Sequence, residues 1–477
     1  MWVAAVGVLI LVSVVGTTSI SNEPRPTASG RTIGYFFNGS GGGSGRHRNL
    51  AGTAAPSTTA PGTHIRRATG PPHAYTPPAR SVSTTTTEDP PTTTTPTTDP
   101  SSGLSVHVDG NELVNGSGQH MRLLGVDVTG TESACIQDEG LSIGASSTPA
   151  EDAASATAIA SWHINSVRIP LNEDCWLDIN GTPAAYSGAS YQTAIENWVA
   201  ALNADGIITI LDLQWAAPGT YQSNEQWPMA DEDHAPAFWT SVATTFKSDP
   251  AVIFDLFNEP YIGQSSSVSS PTSGLASTPW GCWLEGCDVT GGKSDITYQT
   301  AGMQQLVTTV RATGATQPIM LGGLEYATDP CGYNYNWGDH VACPELSNLP
   351  VDPLHQLIIS FHTYTTSNDT SVASWNYNLA QFNAANIPMV TGELGEDDCS
   401  TSYMNAYMNW ADSNDESYLA WSWTPYSGPQ PEACNSSPSP DDWTNWELLQ
   451  NWGGTPSTVT PQGADYKAHL ALVYSSE

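Results

Sequence analysis

The sequence predicts an α/β protein of the (β/α)8 TIM-barrel class, with a β-hairpin and a low-complexity segment before the barrel. Three observations lead to this prediction: eight short apolar runs, helical patterns between most of them, and an abrupt change in composition near residue 103. The runs are apolar almost throughout, as is typical of parallel strands buried on both faces. They are residues 121–128, 164–171, 207–215, 252–260, 317–324, 357–364, 387–394 and 418–425. Eight such strands with intervening helices can close into a barrel.

The first 103 residues differ from the rest in composition. Residues 1–20 begin with an apolar run, Trp2 to Val15, which is shorter than the roughly 20 residues that span a bilayer. This run indicates a signal peptide or, because no basic residue precedes it, an uncleaved membrane anchor. Residues 21–103 are rich in Gly, Pro, Ser and Thr and contain no Trp. We therefore expect a disordered tether rather than a carbohydrate-binding module, and a secreted or surface-anchored protein.

Residues 104–477 are long enough for one large barrel domain, which we expect to be catalytic. All eight cysteines lie in this part. An even number of cysteines in an exported domain indicates disulfides, and the short intervening loops favour the pairs Cys282–Cys287 and Cys331–Cys343. A zinc site is the less favoured alternative, because no two cysteines have the close spacing of a metal knuckle.

The charge balance limits the classes of partner. The chain has 47 acidic and 13 basic residues, a formal net charge of −34. Seven of the basic residues precede residue 104, so only six remain in the predicted barrel. Nucleic acid and anionic lipid are poor partners for such a surface, because phosphate binding depends on clustered cations. We expect a monomer that acts on a neutral polysaccharide or oligosaccharide, without a cofactor, and that contacts membrane only through an N-terminal anchor.

Local signals place the other elements. Residues 104–120 contain Asp109 and Gly110 between alternating apolar residues, which predicts a hairpin that plugs the N-terminal end of the barrel. Residues 148–151 form a capping-box pattern with Pro at the first helical position, and we expect that helix to run to about Trp162. Two more helices are predicted from apolar faces, one at Phe238, Trp239, Val242 and Phe246, the other at Met303, Leu306, Val307 and Val310 and ending at Gly314.

Polar and aromatic side chains stand near the C-terminal ends of the predicted strands, where the active sites of such barrels lie. Arg168 is near the end of the second strand, Gln214 and Trp215 end the third, Asn258 and Glu259 end the fourth, His362 and Tyr364 end the sixth, Glu393 ends the seventh, and Trp423 ends the eighth. A single polar residue at a strand end would be unremarkable. Nine polar or aromatic residues at one end of a barrel indicate a functional site.

Two of these residues suit the hydrolysis of an acetal. That reaction needs a proton for the leaving oxygen and negative charge beside the oxocarbenium-like carbon, which two carboxyl groups can supply. We expect Glu393 to be the nucleophile and Glu259 the general acid/base, about 5 to 5.5 Å apart as in retaining enzymes. Arg168 would keep Glu393 ionised, and Tyr364 would donate a hydrogen bond to it. His362 could bind sugar hydroxyls, and Asn258 could hold the 2-hydroxyl.

These residues lie in motifs that resemble glycoside hydrolase family 5, the cellulase family, which places its two glutamates after strands 4 and 7. The resemblance covers most of residues 104–477. It implies that Trp423 is the aromatic floor beneath the sugar being cleaved, and that a β-1,4-glucan is the substrate. The motifs are residues 254–260 (FDLFNEP), 167–170 (VRIP), 361–364 (FHTY), 391–393 (TGE) and 421–423 (WSW).

One residue departs from the family pattern. Members usually have His where this chain has Gln214, and Gln can donate and accept hydrogen bonds but cannot titrate. The sugar specificity therefore stays open among glucan, mannan, β-1,3 or mixed-linkage glucan, and oligosaccharides. A non-catalytic carbohydrate-binding surface protein on the same barrel is the alternative from another functional class.

Other residues have two interpretations. Five Trp in predicted loops on the catalytic side are candidate sugar platforms, although ordinary packing explains each of them at least as well. They are Trp215, Trp227, Trp280, Trp283 and Trp337. Asp231, Asp233 and His234 could suggest a metal site, but they precede a helix, so capping is the favoured interpretation and no metal is expected. Residues 396–398 are expected to form a solvated acidic loop.

Overall fold

A closed barrel of eight parallel strands forms the centre of the computed structural model. The structure describes residues 103–141, 149–262, 278–291, 296–332, 343–396, 400–424, 448–449 and 459–476. The predicted leader, residues 1–20, lies outside these ranges, as does the predicted tether except for Gly103. Among the described residues, no helix combines the length and the hydropathy that a membrane crossing requires.

The described strands and helices alternate along most of the chain. The strands are β1 (His107–Asp109), β2 (Glu112–Val114), β3 (His120–Met121), β4 (Leu124–Asp127), β5 (Ser166–Asn172), β6 (Ile208–Trp215), β7 (Val252–Asp255), β8 (Asp288–Gly291), β9 (Ile296–Gln299), β10 (Ile319–Gly322), β11 (Leu357–Tyr364), β12 (Met389–Gly395) and β13 (Ser417–Ala420). The helices are α1 (Pro149–Ala160), α2 (Glu173–Leu177), α3 (Ala189–Ala204), α4 (Ala235–Phe246), α5 (Pro279–Glu285), α6 (Met303–Ala312), α7 (Pro344–Ser347), α8 (Val372–Ala385), α9 (Ser402–Ser413) and α10 (Pro461–Ser476).

The barrel confirms the predicted fold class. Its strands follow the order β4, β5, β6, β7, β10, β11, β12, β13 and close back on β4. Each of the eight apolar runs contains one of these strands or most of it, and every residue of the eight strands is buried. Burial of both faces is the reason that the runs lack strict alternation.

Three residue positions relative to the strands differ from the prediction in ways that matter for the site. β7 ends at Asp255, so Asn258 and Glu259 lie beyond the strand in a turn where Glu259 has a left-handed φ of 48°. β13 ends at Ala420, which places Trp423 after the strand. Arg168 is the third residue of β5 and not near its end, so its side chain reaches the site from inside the barrel.

A small antiparallel sheet covers the N-terminal end of the barrel. β1 pairs with β2 across a turn at Gly110, and β3 adds a third strand to β2. Val106 and Leu113 share one buried cluster with apolar residues of the barrel interior. Those residues include Ile208, Ile253, Met320, Ile358, Val390 and Leu419. The predicted hairpin plug is therefore confirmed, with one strand more than the hairpin pattern indicated.

The helices pack their predicted apolar faces on the barrel. Phe238, Trp239, Val242 and Phe246 are all buried on α4, and Met303, Leu306, Val307 and Val310 are all buried on α6. α1 ends at Ala160, two residues before the predicted end at Trp162. The capping box at residues 148–151 includes Thr148, which lies outside the described residues.

Three disulfides occur in the described part of the chain. Cys282–Cys287 and Cys331–Cys343 confirm the two predicted pairs. The third disulfide joins Cys135 to Cys175, so it connects the segment after β4 to α2. Cys399 and Cys434 lie outside the described residues.

We predict that Leu113→Ala destabilises the protein by about 2 to 5 kcal/mol, because it leaves a cavity between the plug and the barrel. Leu113 is 3% exposed. The free energy of unfolding in denaturant measures the effect. Leu472→Ala is the matched control, since Leu472 is 70% exposed on α10 and its truncation should change stability by less than about 0.5 kcal/mol. Equal effects of the two substitutions would contradict the proposed packing of the plug.

Candidate active site

The barrel brings Glu259 and Glu393 together at its C-terminal end. Glu259 follows β7 and Glu393 lies on β12, and both carboxyl groups are buried. One oxygen of each, together with a ring nitrogen of His362, forms a group of atoms that all lie within 4.8 Å of one another. Two carboxyl groups so close can act on a single bond from two sides.

The two carboxyl groups have different partners. Glu393 Oε1 accepts a hydrogen bond from Arg168 Nη1 at 2.8 Å, and Glu393 Oε2 accepts one from the Tyr364 hydroxyl at 2.5 Å. Glu259 Oε1 lies 3.0 Å from His362 Nδ1. His362 also approaches the other glutamate, with 3.4 Å between Nδ1 and Glu393 Oε2. The imidazole therefore stands between the two carboxyl groups.

These partners separate the proton affinities of the two glutamates. Burial raises the pKa of Glu259 well above its ordinary value, and the neighbouring Glu393 carboxylate raises it further. Burial also raises the pKa of Glu393, but the Arg168 guanidinium and the Tyr364 hydroxyl act in the opposite direction. Glu259 is consequently the more easily protonated of the two, which is the asymmetry that acid/base chemistry by paired carboxyls requires.

Arg168 is surrounded by carboxylates inside the barrel. Its guanidinium contacts Glu393 and Asn258, and three aspartates approach it from β4, β6 and β7. Burial alone would lower the pKa of Arg168, but these carboxylates together raise it well above its ordinary value. The aspartate contacts are Asp127 Oδ1 at 3.3 Å, Asp212 Oδ1 at 3.0 Å and Asp255 Oδ2 at 3.0 Å.

The surroundings of His362 favour its neutral form. Burial lowers its pKa well below the ordinary value, and the nearby Arg168 lowers it further. Its Nε2 faces the Ser360 hydroxyl at 3.4 Å, while Nδ1 faces the glutamates. The sequence prediction gave His362 a contact with sugar hydroxyls, whereas the structure turns Nδ1 towards the two carboxyl groups.

Four further predicted residues line the same end of the barrel. Asn258 Oδ1 accepts a hydrogen bond from Arg168 Nη2 at 2.9 Å. Gln214 and Trp215 end β6 and are buried, and Gln214 Oε1 has no hydrogen-bond partner among the described residues. Trp423 is 2% exposed and packs edge-on against Trp162, with 4.7 Å between ring centroids.

Comparison with known proteins identifies the family of this barrel. The family described as "Cellulase (glycosyl hydrolase family 5)" matches residues 125–427, which is more than half of the chain. The chain belongs to glycosyl hydrolase family 5. It is therefore a glycosidase, and the two glutamates of the site stand in the motifs on which the resemblance was based.

Solved structures share the barrel fold with this family 5 protein. A hyperthermophilic endocellulase from the archaeon Pyrococcus horikoshii is 18% identical, over 78% of this chain and 99% of that chain, with a TM-score of 0.52. The catalytic domain of the major endoglucanase of Xanthomonas campestris pv. campestris is 19% identical, over 76% and 99%, with a TM-score of 0.50. A β-mannanase from Thermomonospora fusca is 17% identical, over 76% and 93%, with a TM-score of 0.48. At these identities the likeness concerns the fold alone.

Sequence reasoning missed the three aspartates around Arg168. Asp127, Asp212 and Asp255 each interrupt an apolar strand run, in the sequences LLGVDV, ITILDLQW and VIFDLF. A carboxylate inside a buried strand needs a partner, because burial of an unpaired charge costs several kcal/mol. Arg168 interrupts a fourth run in the same way. Three acidic residues and one basic residue in buried strands could therefore have been predicted to contact each other.

Most of the candidate tryptophan platforms serve as packing in the described structure. Trp227, Trp280 and Trp283 are buried, and the last two lie on the short helix α5 rather than in a loop. Trp283 Nε1 donates a hydrogen bond to the Gly322 carbonyl at 2.9 Å, which ties α5 to the end of β10. Trp337 lies outside the described residues.

The prediction of a solvated loop was wrong for Glu396. Its side chain is buried and accepts hydrogen bonds from the backbone N–H groups of Tyr403 and Met404 at 2.9 and 3.0 Å, so it satisfies donors in the first turn of α9. A carboxylate at a helix N-terminus is also favoured by the helix dipole. Asp397 and Asp398 lie outside the described residues.

We predict that the Glu259→Gln variant loses less stability than the wild-type protein when the pH rises from 4 to 8. A carboxyl group whose pKa is higher in the folded protein than in the unfolded chain stabilises the fold fully below about pH 4.3, and this contribution is lost as pH rises through the folded pKa. Gln keeps the shape without ionising. Each unit of pKa elevation corresponds to about 1.4 kcal/mol, so the variant should be more stable than wild type at pH 8 and similar at pH 4.

Melting temperatures between pH 4 and 8 measure this difference. Glu196→Gln is the control, because Glu196 is exposed on α3, and its melting curve should follow that of the wild type at each pH. Parallel pH profiles for Glu259→Gln and wild type would contradict a buried, easily protonated Glu259.

Proposed function

We propose that the protein is a retaining β-glycoside hydrolase that cleaves β-1,4-glucan internally by double displacement. The observation that carries the proposal is the pair Glu259 and Glu393, with oxygens within 4.8 Å and unlike surroundings. Inverting enzymes hold their carboxyl groups farther apart, about 6.5 to 9.5 Å, to leave room for a water molecule. The short separation favours direct attack by one carboxylate on the anomeric carbon.

Glu393 is the proposed nucleophile. Arg168 and Tyr364 each hold one of its oxygens, so the carboxylate is fixed in orientation and kept more acidic than burial alone would leave it. Attack on the anomeric carbon forms the bond to Glu393 and breaks the bond to the leaving sugar. The product of this first step is a covalent glycosyl-enzyme, which water hydrolyses in the second step.

Glu259 is the proposed general acid/base. Its raised pKa keeps a proton available for the leaving oxygen in the first step, and the resulting carboxylate takes a proton from water in the second. His362 contacts Glu259 Oε1 and its surroundings favour the neutral form, so it can accept a hydrogen bond from the protonated acid or donate one to the carboxylate. His362 is therefore a positioning residue for the proton that Glu259 transfers.

Three residues are proposed to bind the sugar undergoing cleavage. The side-chain carbonyl oxygen of Asn258 accepts a hydrogen bond from Arg168. Its amide N–H groups therefore remain able to donate to the 2-hydroxyl. Gln214 has a buried carbonyl oxygen that a sugar hydroxyl would satisfy, with Trp215 beside it at the end of β6. Trp423 follows β13 and is proposed as the floor of the same subsite.

A glucan is the proposed substrate because the matched family is named for cellulase activity and because the barrel domain is poor in basic residues, which suits a neutral polymer. The endocellulase and endoglucanase named above carry that activity on the same fold. Gln214, which replaces the usual His, is the residue most able to change the sugar preference. Mannan, β-1,3 or mixed-linkage glucan, and oligosaccharides are the competing substrates.

We propose that the protein acts outside the cell. The three disulfides of the described residues support this, because such bonds persist in oxidising compartments and are rare in the cytosol. The apolar run at residues 2–15 would serve as the export signal or anchor.

The substrate proposal predicts faster hydrolysis of cellopentaose than of mannopentaose or laminaripentaose. Initial rates with the three oligosaccharides and with soluble cellulose and mannan polymers measure the preference. Proton NMR at early times should show the β-anomer of the new reducing end first, since double displacement retains configuration. Release of sugar from mannan alone would contradict the substrate, and early appearance of the α-anomer would contradict the mechanism.

The assigned roles predict opposite products from two alanine variants supplied with azide and an aryl β-cellobioside. Glu393→Ala should lose turnover by a factor on the order of 10⁴. Azide should restore part of it as the α-glycosyl azide, because the small anion attacks from the vacated side. Glu259→Ala should keep the glycosyl-enzyme step with this good leaving group and yield the β-glycosyl azide.

Glu196→Gln serves as the matched acidic control and should retain wild-type turnover, because Glu196 lies exposed on α3. Circular dichroism of each variant establishes that it is folded before its rate is compared. The same azide anomer from both alanine variants would refute the division of roles between Glu259 and Glu393.

A further inference from the structure

A second cluster of ionisable side chains lies apart from the two catalytic glutamates. It combines Glu173, the first residue of α2, with Asp231 and His234, which precede α4. The Ala217 carbonyl, two residues after β6, completes it. The first residue of α2 and both ends of the loop between β6 and α4 therefore meet at one point.

The distances from His234 to its neighbours match the spacing of ligands around one metal ion. His234 Nδ1 lies 3.5 Å from Asp231 Oδ1, 3.8 Å from Glu173 Oε2 and 3.2 Å from the Ala217 carbonyl oxygen. One donor atom from each of the three side chains lies within 4.8 Å of the others. Atoms bound tetrahedrally at about 2.1 Å from a zinc ion stand about 3.4 Å apart, which is close to the observed spacing.

Two buried carboxylate oxygens in the cluster lack a hydrogen-bond donor. Glu173 Oε1 and Asp231 Oδ2 receive no N–H or O–H donor within the described part of the chain, and the two carboxyl groups lie within hydrogen-bond reach of each other. Their other oxygens accept backbone N–H groups, from Ala217 at 3.2 Å and from His234 at 2.8 Å. No described Lys or Arg forms an ion pair with either side chain. Two facing carboxyl groups out of contact with water need a proton or a cation between them.

We propose that Glu173, Asp231, His234 and the Ala217 carbonyl bind one divalent transition-metal ion, zinc or manganese. Imidazole nitrogen favours zinc and related ions, and carboxylate and carbonyl oxygens favour manganese, calcium and magnesium. A set with one nitrogen and three oxygens therefore suits zinc or manganese better than calcium. The capping interpretation explains only the bond from the His234 N–H to Asp231 Oδ1, and it leaves out Glu173 altogether.

The ion would fasten the loop between β6 and α4 to α2. That loop, residues 216–234, carries Gln226, whose side-chain amide donates hydrogen bonds to the backbone carbonyls of Asn258 and Glu259 at 3.2 and 2.8 Å. The bound metal is thus a structural clamp on a loop that supports the turn of the proposed acid/base. It takes no part in bond cleavage.

The test uses the full chain, stripped with a chelator and titrated with zinc, manganese, calcium or magnesium at pH 7.5. We expect one zinc or manganese ion per chain by calorimetry and elemental analysis, and a melting temperature several degrees higher than that of the stripped protein. Glu173→Gln and Asp231→Asn should each abolish the calorimetric signal and the thermal response. Glu232→Gln, an exposed neighbour in the same segment, should retain both.

Three results would overturn the proposal. Equal melting temperatures with and without metal, together with a Glu173→Gln variant as stable as wild type, would mean that a shared proton joins the carboxyl groups. Zinc binding that survives in both cluster variants would place the ion elsewhere. Stabilisation by calcium or magnesium alone would refute a transition metal. All readouts are binding and stability, so they are independent of the glycosidase assays above.

Discussion

The guanidinium of Arg168 is the interaction on which the catalytic end of the barrel depends. It is buried, and it contacts three aspartates, Asn258 and Glu393, which lie on or directly after four barrel strands. Without the guanidinium, each of these buried carboxylates would lack a neighbouring positive charge, at a cost of several kcal/mol. Because Arg's planar fork fixes the direction of each contact, the same side chain that balances the charges also sets the position of Glu393 and of the Asn258 amide.

The closed barrel makes this arrangement possible because it lets strands that are distant in sequence face each other. β7 and β12 are not neighbours in the strand order, yet their ends carry Glu259 and Glu393 to one point. The left-handed turn at Glu259 and the hydrogen bonds from Gln226 hold the first of these in place. Burial raises the pKa of both glutamates, and the larger rise at Glu259 follows from the different neighbours of the two carboxyl groups.

Much of the fold and of the candidate site was predictable because local sequence patterns were not overridden by contacts with distant parts of the chain. The barrel strands are buried on both faces, so apolar runs identified them, and Glu259 and Glu393 stood in motifs with few alternative interpretations. The position of Arg168 inside the barrel was missed because its partners lie on strands far away in sequence. The burial of Glu396 was missed because it depends on packing against the start of α9.

The sequence by itself determined the order of the eight barrel strands, the two short-loop disulfides and the choice of the two glutamates as candidate site residues. Each of these depends on residues that are close together along the chain or on a motif of a few residues. Only the tertiary structure decided which charges meet. The three aspartates around Arg168, the His362 ring between the glutamates, and Glu173 beside Asp231 and His234 come together through barrel closure and loop packing. Burial then sets their pKa values, and no linear pattern encodes burial at a single site.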